Sequence, residues 1–330
     1  MRKIKIAQIG TSQNSHGTDI WQTLLKRSDL FEVVGYAMPE REKEKFEARI
    51  KPFLGYREMT IEEILNDPEI EAVTVETEEI YLTKYAQMVA DAGKHLHMEK
   101  PGGIDPDAFE RLVNTLKEKN LVFSLGYMYR FNPKINEIIK RVKDGEFGKI
   151  YSVEAHMSCK HSIDTRTWLS NFPGGMMFFL GCHLVDLIYR IKGEPNDTIP
   201  LSTPTGIDGV STDTYGMAVF KYDDGVSFAK TCADELGGFL RRQLVISGEK
   251  GTIEIKPLEA FGKSGQYTVS SENYSLGWAG EWSSSKSEPY DRYEAMMHNF
   301  AEMVRGKENP YTYDYELGLY RLIMKACGVK

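Results

Sequence analysis

Over residues 1–123, short apolar runs alternate with amphipathic stretches, and this alternation most constrains what the chain can fold into. Lys3–Gly10 reads as a strand, Thr18–Arg27 as an amphipathic helix and Phe31–Tyr36 as a second strand. Ile61–Leu65 is helical and stops at Asp67-Pro68. Ala72–Thr77 is strand-like, and Lys84–Ala92 is helix-like and closes at Gly93. His95–Met98 and Val122–Leu125 are further short strands, with a helix over Asp107–Glu118 between them. Strands separated by helices pair in parallel, because a parallel neighbour needs a long crossover. The expected fold is therefore α/β: a doubly wound parallel sheet that binds ligands at the carboxyl ends of its strands.

The pattern changes after residue 123. Pro133–Lys143 carries Ile135, Ile138, Ile139 and Val142 at helical spacing. Strand-like runs come next at Lys149–Met157, Thr214–Lys221, Val226–Asp234, Arg242–Ser247 and Gly251–Ile255. Tight turns at Tyr222-Asp223-Asp224-Gly225 and at Ser247–Gly251 make an antiparallel arrangement the natural one. The stretch from Gly262 to Ser287 is rich in Ser and Gly and poor in aliphatics, so it reads as a long loop or weak strands. Tyr293–Arg305 and Tyr315–Ala326 read as closing helices. The expected division is a parallel-sheet domain over 1–123 and an α+β domain with an open, mainly antiparallel sheet over 124–330.

A chain of 330 residues is long enough for two cores. With 41% hydrophobic and 27% charged residues it suits a soluble globular protein. A net charge of −7 argues against a nucleic-acid partner, because phosphate binding needs a basic surface. No stretch approaches the roughly 20 apolar residues of a membrane span, so no membrane association is expected. Met1–Ile6 alternates charge with apolar side chains. It reads as a first strand rather than a signal peptide, which implies a cytoplasmic protein. Cys159, Cys182, Cys232 and Cys327 lie far apart with no CxxC pair and are expected to be reduced thiols.

The first strand ends in Gly10-Thr11-Ser12-Gln13-Asn14-Ser15-His16-Gly17. A dinucleotide site here needs a glycine where the backbone nears the pyrophosphate, then a helix N-terminus to receive it. Gly10 fits the first position, Ser12 replaces the second glycine, and Gly17 comes late. Asn14 or Ser15 is placed to cap the helix beyond. After the second strand, Glu40 is the candidate ribose reader, while Arg41 would suit a 2′-phosphate; NAD and NADP both remain open.

More specific signals lie further along. Gly93-Lys94-His95 runs into Glu99-Lys100-Pro101, and Asp67-Pro68-Glu69-Ile70 enters the strand before it. Gly126-Tyr127-Met128-Tyr129-Arg130-Phe131-Asn132-Pro133 joins the two halves, and Gly148-Lys149-Ile150 opens the second sheet. Pro173-Gly174-Gly175 leads to Gly181-Cys182-His183-Leu184-Val185-Asp186. In this combination, over nearly its whole length, the chain resembles the Gfo/Idh/MocA oxidoreductases. The resemblance implies a Rossmann N-terminal domain, NAD or NADP as cofactor, and a carbohydrate, polyol or glycoside as substrate. It also implies a homo-oligomer. Lys100 and His183 would act at the nicotinamide C4 position, with Thr77, Glu78, Glu99 and Arg130 near the cofactor. Oxidising a secondary alcohol sends a hydride to the ring while a base takes the hydroxyl proton. A lysine in a cleft beside a cationic ring should have a lowered pKa and can take that proton; an imidazole can share it or orient the hydroxyl.

Three departures from the family pattern stand out. The aspartate four residues before the histidine is Phe179, which can neither orient an imidazole nor share its proton. Where the family has Thr-Pro-Asn-x-x-His the chain reads Thr77-Glu78-Glu79-Ile80-Tyr81-Leu82, with two carboxylates in place of Pro and Asn. The glycine fingerprint is incomplete. Candidate substrate contacts are Tyr129, His156, Trp168, Phe179 and Asp186. The spacing of His156, Cys159 and His161 lacks the further ligand a zinc site needs, so no metal is expected. Asp186, three residues after His183, reads as a substrate contact or a salt bridge to Arg190. A redox-assisted glycoside-cleaving enzyme and a non-catalytic sugar- or cofactor-binding protein are the alternatives on this fold.

Overall fold

A computed structural model describes residues 2–275 and 280–329. The chain forms two compact units, Met1–Met128 with Tyr293–Leu317, and Tyr129–Arg292 with Gly318–Lys330.

In the first unit the chain runs β1 (Ile4–Ile9), α1 (Gly17–Lys26), β2 (Phe31–Ala37), α2 (Glu42–Lys45), α3 (Glu47–Ile50), α4 (Ile61–Asn66), β3 (Ala72–Val75), α5 (Leu82–Asp91), β4 (His95–Met98), α6 (Pro106–Glu118) and β5 (Phe123–Leu125). The strands pair in parallel in the order β2-β1-β3-β4-β5. Every residue of β3 and β5 is buried, which is why they read as short apolar runs without alternation. The strand order reverses between β1 and β3, where a doubly wound sheet opens its ligand crevice. The register Ile9↔Val75↔Met98 carries the next residues to one edge: Gly10 after β1, Glu76–Glu79 after β3, and Glu99-Lys100 after β4.

The helices form where capping and periodicity agree. Thr60 and Glu63 make a reciprocal capping box on α4, and Asp105 caps α6 ahead of Pro106. On α6, Phe109, Leu112, Val113 and Leu116 form the buried face. Trp21 of α1 is fully buried, stacks on Phe53 at 4.7 Å between ring centres and meets Tyr36 edge-on at 5.6 Å. The four-residue helices α2 and α3 are shorter than any periodic signal, and the sequence pattern does not announce them.

The second unit starts at Tyr129, within a 3₁₀ turn over Met128–Phe131, and continues with α7 (Pro133–Lys143), capped by Asn132. Then come β6 (Ile150–Ser158), α8 (Ile163–Trp168), a π-helical turn over Met177–Gly181 and α9 (Cys182–Lys192). The remaining strands are β7 (Asp197–Thr203), β8 (Tyr215–Tyr222), β9 (Gly225–Cys232), β10 (Gln243–Gly248), β11 (Gly251–Ile255), β12 (Ala260–Gly262), β13 (Gly265–Tyr267), β14 (Val269–Asn273) and β15 (Ser283–Lys286). The main sheet has the order β15-β14-β11-β10-β6-β9-β8-β7. Its pairs are antiparallel except β6 with β9. This is the open, mainly antiparallel sheet expected. The Ser/Gly-rich stretch forms weak strands, with residues 276–279 outside the described ones. Strand β7 was not expected. It is an edge strand, largely exposed and carrying Pro200, so it shows neither apolar alternation nor a strand-like composition. The chain ends in α10 (Glu294–Val304) and α11 (Tyr313–Ala326).

Removing the Trp21 ring leaves a cavity between Phe53 and Tyr36. Trp21→Ala should destabilise the protein by about 3–5 kcal/mol, and Trp21→Phe by clearly less. Urea unfolding followed by circular dichroism measures both; equal midpoints for wild type and Trp21→Ala would contradict this packing.

Candidate active site

Gly10 ends β1 at φ +82°, a backbone conformation that side chains rarely adopt. A Cβ there would lie 2.6 Å from the Thr77 Cβ and 2.7 Å from its Cα. The glycine is thus needed for the close approach of the first strand to the segment after β3. Sequence reasoning expected a nucleotide to demand it; Thr77 meets a larger side chain first.

The turn beyond Gly10 is built from hydroxyls. Ser12 Oγ accepts from Ser15 N–H at 2.9 Å and from Asn14 N–H at 3.3 Å, while Ser15 Oγ accepts from Ser12 N–H at 2.9 Å. These bonds hold α1 back until Gly17, which explains the late second glycine. Arg49 donates to the carbonyls of Ser12 and Ser15 at 3.2 and 2.7 Å, setting a cation against the turn. Thr11 N–H donates to Glu42 Oε2 at 3.3 Å, and the Thr77 hydroxyl donates to the other oxygen of the same carboxyl. Glu42 is fully buried, and burial pushes its carboxyl up to about 8. Glu40 has left-handed φ and is held by Lys84 and the Tyr85 hydroxyl, both at 2.7 Å. Glu78 pairs with Lys45 at 2.9 Å.

Beside this turn lies a cluster of buried ionisable groups. Glu99 Oε2 accepts from the His16 N–H at 2.8 Å and lies 2.8 Å from His16 Nδ1. Its Oε1 accepts the Lys100 N–H at 2.9 Å and stands 3.9 Å from Lys100 Nζ. Burial opposes the charge on Glu99, but His16 and Lys100 outweigh it and hold the carboxyl well below the usual range. Lys100 is 1% exposed. Glu76 and Glu79 are equally buried. Burial, reinforced by Glu99, pushes Glu76 well up; burial, opposed by Lys100, pushes Glu79 up to about 8. His97 is kept neutral by burial, pushed down to about 4, with Nδ1 3.2 Å from the Ser124 hydroxyl and Nε2 3.6 Å from Glu76. Three buried carboxyls thus lie at the edge that carries Lys100, with Glu99 held down and Glu76 and Glu79 pushed up.

In the second unit, His183 is buried on α9 and its ring meets Tyr129 edge-on at 5.8 Å. The Tyr129 hydroxyl donates to Glu259 at 3.2 Å, and Glu259 also holds Arg242 and Arg292. Arg130 and Asp186 form a buried ion pair at 2.9–3.0 Å. Asp186 therefore pairs with Arg130, while Arg190 turns to the Tyr129 carbonyl and Asn136. His156 Nε2 lies 2.8 Å from Ser158 Oγ and 3.0 Å from Glu235. Cys159 Sγ lies 3.0 Å from His161 Nε2. Phe179 packs on Trp168 at 5.3 Å and on His161 at 5.9 Å. Because residues 177–181 wind as a π-helix, the four-residue spacing of an α-helix does not relate Phe179 to His183. Among the described residues no group of three or more His, Cys, Asp or Glu is arranged for a metal ion, and no helix is long and apolar enough to cross a membrane.

Known proteins agree with this architecture. Residues 4–127 match the family "Oxidoreductase family, NAD-binding Rossmann fold", and residues 135–254 match "GFO/IDH/MocA C-terminal domain". The chain belongs to the Gfo/Idh/MocA family and is an NAD(P)-dependent oxidoreductase acting on CH–OH groups. Among its relatives is an uncharacterized oxidoreductase of Rhizobium meliloti, 23% identical over 87% of this chain and 86% of its own length. The scyllo-inositol 2-dehydrogenase (NADP(+)) of Bacillus subtilis is 27% identical over 41% of this chain and 38% of its own. A 3-ketoreductase from Actinomadura kijaniata, solved with NADP and TDP-benzene, shares the fold with TM-score 0.81 at 16% identity, covering 98% of this chain and 96% of its own.

The residues present fit a dinucleotide. The turn at the switch point has small buried side chains, a helix start beyond it and the Arg49 cation against it, all suited to a diphosphate. Glu42 and Arg49 were not among the expected residues; both sit in a charged stretch that reads as solvated surface.

The buried carboxyls make stability depend on pH. In the native state Glu42 keeps its proton to about 8, while unfolded it loses it near the ordinary 4.5. Between these values the native state binds more protons, so stability falls as pH rises. Glu42→Gln keeps an acceptor for Thr11 and a partner for Thr77. It should flatten that fall and raise stability at the upper end by at least about 1 kcal/mol, one pK unit's worth. Urea unfolding at mildly acidic and mildly alkaline pH reads the difference; parallel pH slopes for both proteins would contradict it.

Proposed function

We propose that this oxidoreductase acts on a hydroxyl of a sugar, polyol or glycoside, with Lys100 moving the hydroxyl proton and His183 as its partner. The observation that carries the reading is Lys100 itself: a buried amine at the carboxyl edge of a switch-point sheet, 3.9 Å from a carboxylate kept ionised. Relatives named for an inositol and for levoglucosan support the substrate class.

The cofactor, when bound, supplies the hydride acceptor of oxidation. Gly10, Thr11, Ser12, Asn14 and Ser15 would hold its diphosphate, with Arg49 behind them. Glu40, Thr77, Glu78, Glu99 and Arg130 complete the cofactor side. As free amine, Lys100 takes the hydroxyl proton while the C–H bond yields its hydride. Glu99 lowers the cost of the ammonium that results, because opposite charges attract strongly where water is excluded. Tyr129, His156, Trp168, Phe179 and Asp186 are the substrate residues of this reading, with Asp186 acting through Arg130.

The aromatic corner of Trp168 and Phe179 favours a second reading. A phenyl ring in place of a carboxylate suits an apolar aglycone, as in a glycoside-cleaving enzyme that oxidises its sugar transiently.

Lys100→Met should lower turnover by about 10²–10⁴-fold, the usual share of general acid–base catalysis, and leave nucleotide affinity nearly unchanged. Absorbance of the reduced nicotinamide reads the first and calorimetry the second. Near wild-type turnover in the variant would make Lys100 structural.

A further inference from the structure

Glu99 joins two parts of the first unit that lie far apart in the chain. Its Oε2 takes the His16 N–H at the start of α1 at 2.8 Å and lies 2.8 Å from His16 Nδ1. Its Oε1 takes the Lys100 N–H at 2.9 Å and stands 3.9 Å from Lys100 Nζ. Gly126 passes beside the same oxygen, where an added Cβ would lie 3.4 Å away. The Glu99 side chain is sealed from solvent, whereas that of His16 is 19% exposed, with its ring 5.4 Å from the Tyr293 ring. The other ionisable groups that face this set are Glu76 and Glu79 beyond β3, His97 on β4 and Asp19 on α1. Glu99 is in contact with both His16 and Lys100, so its one negative charge is divided between them.

We propose that His16 is a positioning residue for Lys100, acting through Glu99: its imidazole shares the carboxylate and so sets how firmly Glu99 holds the lysine as an ammonium. This rests on the reading of Lys100 as the group that takes the hydroxyl proton. In a dry region an opposite charge a few ångströms away strongly favours the charged form of a group. A carboxylate that also serves the imidazole holds the ammonium less firmly than one left to the lysine alone. With His16 in place, the free amine needed for oxidation forms at lower pH. The coupling is reciprocal, because Lys100 draws on the same carboxylate and opposes proton uptake by His16. The contact has a second consequence. Glu99 binds the first turn of α1 and the Lys100 backbone together, so the turn assigned to the cofactor diphosphate and the lysine assigned to the proton are held in one frame.

The test uses the full chain as His16→Leu, His16→Asn and Lys100→Met. Turnover is followed across acidic, neutral and alkaline pH with NAD⁺ or NADP⁺ on a panel of sugars, polyols and aryl glycosides. Turnover should rise with pH along a limb that reads the loss of the Lys100 proton. In His16→Leu that limb should move to higher pH by about one unit, so that turnover falls about tenfold on the limb and recovers above it. His16→Asn keeps an N–H donor close to the place of Nδ1 and should bring most of the limb back. An unmoved limb in His16→Leu, with Lys100→Met inactive, would overturn the His16 assignment alone; an equal loss of turnover at every pH is that outcome and would make His16 merely structural. Wild-type turnover in Lys100→Met would overturn the Lys100 reading and this one with it. A second measurement needs no substrate. In a proton NMR titration, the imidazole signal that His16→Asn removes should titrate at higher pH in Lys100→Met than in the wild type, because the competing cation is gone. An unmoved midpoint would overturn the proposal even if His16→Leu fails to fold.

Discussion

The register of three parallel strands sets the terms for everything at their carboxyl edge. Ile9, Val75 and Met98 lie side by side, so the residues just beyond each strand are delivered to one small, dry region. Those residues are Gly10 after β1, Glu76 to Glu79 after β3, and Glu99 with Lys100 after β4. Removing an ion from water costs several kcal/mol unless partners replace the water. The region solves this unequally. Glu99 has His16 and Lys100, which favour its charge; burial pushes the carboxyls of Glu76, Glu79 and, across the turn, Glu42 up instead. The same inequality that lets the edge fold leaves groups with different proton affinities at one sheet edge, and perturbed groups of this kind cluster at functional sites.

The second unit answers the same problem with pairing. Arg130 holds Asp186, and Glu259 holds Arg242, Arg292 and the Tyr129 hydroxyl. Removing one member of such a pair leaves its partner buried and uncompensated, which is far more costly than the pair is stabilising. Positions that look like substrate contacts in sequence are therefore also part of the unit's framework. The His183 ring rests on Tyr129, so the glutamate–arginine network supports the face on which it stands.

Much of this was legible in the chain itself. Strands and helices of the first unit show because apolar period and capping residues agree, as at Thr60–Glu63 and Asp105-Pro106. Glu99-Lys100-Pro101 and the His183 helix carry the family signature. The features that escaped reading did so for physical reasons. Glu42 and Arg49 lie in a run of charges that by composition belongs to solvent, and only tertiary folding buries one and turns the other to the Ser12–Ser15 turn. Glu76 closes an apolar strand, a hint of burial that nothing local confirms. The π-helical turn at Met177–Gly181 changes the face on which Phe179 lies, and no composition rule marks it. Strand β7 hides because an exposed edge needs no apolar alternation.

The central claim is a net hydride transfer from a carbohydrate hydroxyl to the nicotinamide. The most direct measurement is stoichiometry with substrates deuterated at the reacting carbon. Carbonyl product, reduced cofactor and deuterium at the nicotinamide C4 are counted in the same reaction. The account predicts one reduced, deuterated cofactor for every carbonyl formed. Cleaved glycoside with no net change in cofactor, or carbonyl formed without deuterium on the nicotinamide, would contradict it.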